Sequence, residues 1–198
     1  MKGNKSIVRL DGFALEEWDN IITYLRKKTL CKTIIAIECN FSVHYEELKE
    51  KFLEIDPILV VDTRELFLSQ DEIGKLDVKS ISDYFDFHKL QKAREAIDSA
   101  DDNVIVIGCG AHLVSEDDIL IYTDLESGEK QSENIYFNNI ELLDLYRKSI
   151  VPYIDYWLDA NNFSIPKMTD KKTLEKNLNL FLDGSTLQIE INGIRFQI

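Results

Sequence analysis

Four short runs of apolar, mostly β-branched residues constrain the fold of this 198-residue chain more than any other feature. They occupy residues 33–38, 58–62, 103–108 and 119–122, and apolar residues at helical spacing fill most of the sequence between them. Runs of this length and composition are typical of strands that are buried on both faces. Strands that alternate with helices form parallel βαβ units with right-handed crossovers. We therefore expect an α/β fold with three layers and a parallel central sheet.

The C-terminal part of the chain has a different character, and its spacing predicts helices. Apolar residues recur at helical spacing over 139–160, with an interruption near Pro152, and again over roughly 170–182. We expect an α/β domain at residues 1–162 and a C-terminal appendage at residues 163–198.

The last residues predict a β-hairpin, which is the clearest local pattern in the sequence. Residues 186–198 alternate between apolar and polar on both sides of Asn192-Gly193, a pair that favours a type I′ turn. Pairing through this turn places Glu190 opposite Arg195 and leaves one face apolar. That face has to cover either the chain's own core or, in a homodimer, a second copy of the chain.

Charge and composition exclude several classes of partner. The chain carries 23 Lys and Arg against 36 Asp and Glu, for a formal net charge of −13. Such a surface repels nucleic-acid backbones and anionic membrane leaflets. No apolar run reaches the roughly 18 residues that a membrane helix needs, and no signal peptide is recognisable. We expect a cytoplasmic protein without a nucleic-acid or membrane partner.

Cysteine and histidine patterns predict neither a metal site nor a cofactor. The three cysteines, Cys31, Cys39 and Cys109, form no CxxC pair, and the three histidines are scattered. Cys39 and Cys109 end neighbouring predicted strands, where they could approach each other. Two small buried thiols are the simpler interpretation.

Polar residues and glycines follow the predicted strands at the points where a ligand would bind. In open parallel sheets, ligands bind beyond the carboxyl ends of the strands, near the topological switch point. The candidate ligand-binding residues are Glu38, Asp62, Arg64, Gly108, Gly110 and His112. Five of them have a structural alternative: a helix cap or turn acceptor for Asp62 and Glu38, an ion pair for Arg64 with Asp62 or Asp124, and a tight turn for the two glycines.

The order of these strand ends resembles P-loop kinases of the uridine kinase and phosphoribulokinase type over about residues 33–160. The matching segments are Ile34–Glu38, Val61-Asp62, Tyr84–Phe87, Val104–Gly110 and Ile121–Asp124. The resemblance implies a sheet in which the four strands lie in the order 2-3-1-4. It also implies that Asp62 stands where such kinases carry a general base.

The segment that would bind nucleotide phosphates departs from the kinase pattern. A working phosphate loop needs glycines, a Lys for the β- and γ-phosphates and a Ser or Thr for magnesium. Residues 38–47 contain neither Gly nor Lys, and they include the carboxylates Glu38, Glu46 and Glu47. We expect no catalytic residue and no nucleotide triphosphate bound in the usual mode.

A finer resemblance is to the kinase-like N-terminal domain fused to some bacterial class I mannose-6-phosphate isomerases. It is carried by Glu38-Cys39, Glu46–Leu48, Val61–Thr63, Ile105–Gly108 and Ile121–Asp124. The resemblance implies a role in carbohydrate metabolism, with a sugar-phosphate-like ligand or a protein partner. It does not imply isomerase activity, because the zinc-binding residues belong to the cupin part of those proteins. The alternatives are a divergent nucleoside or sugar kinase and a structural module that self-associates through the hairpin.

Overall fold

The computed structural model describes residues 7–29, 31–39, 44–124, 140–175 and 188–197. Its strands are β1 (Ile7–Leu10), β2 (Ala14–Glu16), β3 (Ile34–Cys39), β4 (Leu59–Asp62), β5 (Val104–Gly108), β6 (Ile119–Asp124), β7 (Tyr156–Asp159), β8 (Lys167–Asp170), β9 (Gln188–Ile191) and β10 (Ile194–Gln197). Its α-helices are α1 (Trp18–Lys28), α2 (Tyr45–Leu53), α3 (Gln70–Ile73), α4 (Phe87–Ser99), α5 (Ile140–Ile150) and α6 (Lys171–Glu175). Single-turn 3-10 helices lie at Thr63–Leu66, Ile81–Tyr84, Ala111–Leu113 and Val151–Tyr153.

A seven-stranded sheet forms the centre of the fold, in the order β2-β8-β7-β6-β3-β5-β4. The strands from β7 to β4 are parallel, whereas β8 is antiparallel to both β7 and β2. The expected α/β class is therefore confirmed. The sheet as a whole is mixed rather than parallel.

Apolar residues cover both faces of this sheet, as the uninterrupted apolar strands require. On one face, Ile35 and Ile37 of β3 pack in a core with residues of α1 and α2. On the other face, Ala36 shares a core with residues of α4, α5 and the hairpin. The central strands are consequently buried on both sides, and polar residues are tolerated where the strands end.

The predicted long helix over 139–160 is wrong beyond its first half. Helix α5 ends at Ile150, a 3-10 turn containing Pro152 follows, and Tyr156–Asp159 form β7. All four residues of β7 are buried, since the strand lies between β6 and β8. A short apolar run buried on both faces cannot be distinguished from a helix by periodicity alone.

The apolar spacing of residues 13–28 predicts a helix over that whole range, but the helix begins later. Residues 14–16 form β2, which pairs with β8, and α1 starts only at Trp18. Of the helix predicted over 170–182, the structure shows α6, and residues 176–187 lie outside the described residues. The division into 1–162 and 163–198 stays a prediction, although β8 lies inside the large sheet.

The C-terminal hairpin has the predicted register, with Glu190 opposite Arg195 across the Asn192-Gly193 turn. Strand β1 adds to β9 in parallel and completes a three-stranded sheet that the sequence pattern did not reveal. The apolar side chains of the hairpin, Ile189, Ile191 and Phe196, are buried in the chain's own core. This face is therefore already occupied and is not open to a second copy of the chain.

None of the helices within these ranges is both long and apolar enough to cross a lipid bilayer.

Candidate functional site

The parallel strands bring the candidate residues to one edge of the sheet, but on two different faces. In the strand registers, Glu38 is level with Gly108, and Asp62 is level with Ile107. Ile107 packs in the core beside α1 and α2, so Asp62 lies on that face. Glu38 follows Ile37, which packs on the same face as Ile107, and so points to the opposite face. The structure groups Asp62 with Arg64, and Glu38 with Gly110 and His112.

The carboxylate of Asp62 is saturated by donors from α2 and from the turn after β4. Oδ1 accepts hydrogen bonds from the Tyr45 hydroxyl at 2.9 Å and from the Arg64 backbone N–H at 3.0 Å. Oδ2 accepts from Lys49 Nζ at 3.0 Å and from Arg64 Nη2 at 2.6 Å. Arg64 Nε donates to the same carboxylate. The side chain is only 3% exposed, so no free edge of this carboxylate faces a ligand.

Two cations determine the charge state of Asp62. Burial alone would raise the pKa of this carboxyl, but hydrogen bonds from Arg64, Lys49 and Tyr45 outweigh burial and lower the pKa to about 2. The hydrogen bond between Arg64 and Asp62 also raises the pKa of the Arg64 guanidinium, and burial raises the pKa of the Tyr45 hydroxyl. Asp62 is consequently ionised at neutral pH, and both of its oxygens are paired.

Arg64 has one edge that Asp62 does not occupy. Its guanidinium carbon lies 4.0 Å from the centroid of the Tyr45 ring, which fixes the plane of the group. Nη1 forms an ion pair at 2.7 Å with Glu46, whose side chain is 64% exposed. A solvent-exposed ion pair of this kind contributes little stability. An external anion could therefore replace Glu46 at this edge.

Glu38 is saturated by a different set of donors on the other face of the sheet. Its Oε1 accepts a hydrogen bond from the Gly110 N–H at 2.6 Å. Its Oε2 accepts from the His112 N–H at 3.2 Å and from the Tyr146 hydroxyl at 2.9 Å. These partners come from the turn after β5 and from α5. The amides of Gly110 and His112, which follow a strand end where a ligand was expected, therefore bind the chain's own carboxylate.

No Lys or Arg among the described residues lies within ion-pair distance of Glu38. Burial raises the pKa of Glu38 to about 7, against the opposing effect of hydrogen bonds from Gly110, Tyr146 and His112. Burial, together with the nearby Glu38 charge, raises the pKa of Tyr146. Glu38 therefore exchanges its proton close to neutral pH.

The two candidate glycines shape the turn that presents these amides. Gly108 and Gly110 have φ values of 123° and 81°, in a region that L-residues rarely adopt. A Cβ on Gly110 would also lie 2.8 Å from Cζ of Phe85. Both the conformation and the close contact of this turn therefore require glycine at position 110.

The side chain of His112 belongs to the Glu38 side of the edge but does not contact the carboxylate of Glu38. Its Nδ1 lies 2.6 Å from Oδ1 of the buried Asp117. The imidazole stacks on the ring of Tyr153, with 5.8 Å between centroids. The side chain is about a quarter exposed, so part of it reaches solvent at this edge.

Three residues that complete these clusters were absent from the sequence-based candidates. Tyr45 and Lys49 are four residues apart on α2 and so share a helix face, which is the only sequence signal that links them. Tyr146 lies within the apolar stripe of α5, and this spacing predicts a core residue rather than a ligand-binding one. The thiols of Cys39 and Cys109 pack in different cores and do not form a pair. Across the described part of the chain, no group of His, Cys, Asp and Glu residues could hold a metal ion.

Comparison with known proteins adds one partial match. The family model called Domain of unknown function (DUF8485) matches residues 73–134, which is under a third of the chain. The matched segment includes α4, β5 and β6, and therefore the turn whose amides bind Glu38. No curated protein matches this chain.

Proposed function

We propose that this chain is a non-catalytic, P-loop-kinase-like domain that binds a sugar-phosphate-like ligand in carbohydrate metabolism. The observation that carries the proposal is the half-exposed guanidinium of Arg64. Its plane is fixed by Asp62 and Tyr45, and Nη1 at its outer edge forms an ion pair with the exposed carboxylate of Glu46. An arginine that is held in this way is suited to a phosphate monoester, which accepts two parallel hydrogen bonds from a guanidinium.

The sugar-phosphate class follows from the resemblance to domains fused to class I mannose-6-phosphate isomerases. The location supports it, because Arg64 follows the carboxyl end of β4, where α/β sheets bind ligands. Lys49, one quarter exposed beside Asp62, adds a second positive charge on the same face. A phosphate at Arg64 would gain from both cations, although the chain as a whole is strongly acidic.

The state of Asp62 supports the absence of phosphoryl transfer. A general base needs a lone pair within reach of the substrate hydroxyl and a pKa near the working pH. Both oxygens of Asp62 accept hydrogen bonds from the protein, and its pKa lies near 2. Residues 38–47 also lack the Gly and Lys of a phosphate loop. A divergent kinase remains the alternative that the same experiment tests.

A thermal-shift titration with four probes tests the proposal: mannose 6-phosphate, mannose, inorganic phosphate and Mg-ATP. We expect mannose 6-phosphate to raise the melting temperature more than phosphate does, and mannose to have no effect. Glu46→Gln removes the carboxylate that competes for Arg64, so this variant should bind mannose 6-phosphate several-fold more tightly. Glu47→Gln is the matched control, because Glu47 is exposed and does not contact Arg64. This control should bind as the unchanged chain does.

Two results would contradict the proposal. If neither phosphate compound stabilises the chain or Glu46→Gln, the Arg64 edge is not a ligand site. If Mg-ATP stabilises the chain and ADP accumulates in the presence of a sugar or nucleoside, the domain is a divergent kinase. In that case Asp62→Asn should abolish the turnover.

A further inference from the structure

Glu38 joins three separate parts of the fold through one buried carboxyl group. It lies near the carboxyl end of the central strand β3, it accepts hydrogen bonds from the amides of Gly110 and His112, and it accepts another from the hydroxyl of Tyr146 on α5. Only 3% of the residue is exposed. Any change in the charge of this carboxyl group therefore acts on the contact between α5, the 110–112 turn and the sheet.

The described groups around Glu38 donate hydrogen bonds to it, but none of them forms an ion pair with it. The segment after β5 contributes Cys109, His112 and Asp117. The imidazole Nδ1 of His112 contacts Asp117 rather than Glu38. Helix α5 contributes Tyr146 and Arg147, and the Arg147 guanidinium lies over the Tyr122 ring at 5.6 Å rather than on Glu38.

Further groups lie on or beyond β3 itself. The thiol of Cys39 points to the opposite face, and so does Asp62, which is already paired with Arg64 and Lys49. Among the described residues, the charge of ionised Glu38 is therefore balanced only by dipoles, at a site that is almost fully buried.

We propose that Glu38 is a proton-dependent latch, which holds α5 and the 110–112 turn against the sheet when it is protonated and weakens that contact when it ionises. In the neutral state, the carboxyl O–H donates to the Tyr146 oxygen, and the carbonyl oxygen accepts from Gly110 N–H. In the ionised state, Tyr146 donates instead, and an open arrangement in which water reaches the carboxylate gains relative stability. The raised pKa of Glu38, about 7, supports this step. The latch does not depend on the proposed ligand at Arg64, which lies on the other face.

Hydrogen exchange of the α5 amides tests the latch directly. After correction for the intrinsic exchange rate, the opening equilibrium of residues 140–150 should rise about 40-fold between pH 5 and pH 7, and less than twofold from pH 7 to pH 8. Glu38→Gln, which stays neutral, should abolish this rise. Glu141→Gln is the matched control, because Glu141 is an exposed carboxylate on the same helix; it should keep the rise. A flat profile in the unchanged chain, or the same rise in Glu38→Gln, would overturn the proposal.

A measurement on the unchanged chain keeps the proposal testable if Glu38→Gln does not fold. Carbon-13 NMR of glutamate-labelled protein should show one side-chain carboxyl that titrates near pH 7, far above the others. The titration midpoint of this carboxyl should move when Tyr146 is replaced by Phe. If every glutamate carboxyl titrates below about pH 5.5, Glu38 is not a proton-dependent latch.

Discussion

Two carboxylates at the same edge of one sheet have opposite electrostatic properties. Asp62 and Glu38 are both more than nine-tenths buried, and both accept hydrogen bonds on each oxygen. Yet the pKa of Asp62 is lowered to about 2, and that of Glu38 is raised to about 7. Burial and hydrogen-bond saturation are common to both, so neither explains the difference.

The difference lies in the charge of the donors. Lys49 and Arg64 bring two positive charges to Asp62, whereas the donors that the described residues offer Glu38 are amide and hydroxyl dipoles. A dipole stabilises a buried anion less than a full opposite charge does, so burial prevails at Glu38 and the cations prevail at Asp62. One face of the edge thus carries a fixed ion-pair network, and the other carries a group that titrates near neutrality.

The largest loss of stability is expected from Gly110→Ala, which disrupts the turn whose amides donate to Glu38. The new Cβ would lie 2.8 Å from the Phe85 ring, and φ would stay near 81°. Positive φ costs about 1–2 kcal/mol and overpacking about 1–3 kcal/mol, so we expect a loss of roughly 3–4 kcal/mol in urea unfolding. Gly193→Ala is the control, because its φ is also positive and no atom lies within 4 Å of the new Cβ. If both variants lose the same stability, the contact with Phe85 is not tight.

Asp62→Asn should cause the next largest loss of stability, because it disrupts the ion pairs with Lys49 and Arg64. It removes the buried counter-charge that Lys49 and Arg64 share, and the partial exposure of Arg64 reduces the penalty, so we expect a loss of about 3 kcal/mol at pH 7. The lowered pKa sets the pH window: stability from Asp62 is complete above about pH 4 and is lost as the pH falls through about 2. Asp77→Asn, at an exposed ion pair, should change stability by less than ~1 kcal/mol. Equal losses in chemical unfolding of the two variants would contradict this account.

These two sides also differ in how far the sequence could predict them. Strand-end positions followed from the apolar runs, so Glu38, Asp62, Arg64 and the glycines could be identified before the structure was known. The pairing of Asp62 with Arg64 was one of the alternatives, since the two residues are close in sequence. The contact between Glu38 and Tyr146 spans 108 residues and depends on how α5 packs, which no local pattern encodes.

The fold shows the same limit. The hairpin register followed from local alternation and a turn pair, and it is confirmed residue by residue. Strand β7 was mistaken for helix because Tyr156–Leu158 is apolar throughout and its parallel partner β6 lies far earlier in the chain. Likewise, β1 pairs with β9 across nearly the whole chain. Local chemistry predicted the elements that form by themselves, and long-range pairing determined the others.

Glu38→Gln tests whether the missing cation explains the raised pKa. Because the pKa is higher in the folded chain, about 7, than in an unfolded glutamate, stability from this group is complete below about pH 4. It is lost as the pH rises through about 7. The unchanged chain should therefore lose about 2.5 kcal/mol more than Glu38→Gln between pH 5 and pH 8, as measured by urea unfolding at each pH. Parallel profiles for the two chains would show that the charge of Glu38 is balanced after all.

Tyr146→Phe should produce the smallest effect and sharpen the comparison most. It removes one dipole from Glu38, since the Tyr146 hydroxyl donates to Oε2 at 2.9 Å, and it leaves the ring in place. We expect a loss of about 1 kcal/mol at pH 8, where the carboxylate needs the donor. The loss should shrink below pH 6, where Glu38 is neutral. The pKa of Glu38 should rise further, because the hydrogen bond from Tyr146 favours the ionised form.

Tyr153→Phe is the matched control, since Tyr153 is 63% exposed and stacks on His112 through its ring. If the carbon-13 midpoint of Glu38 moves down or stays fixed in Tyr146→Phe, the hydroxyl dipole does not stabilise the anion.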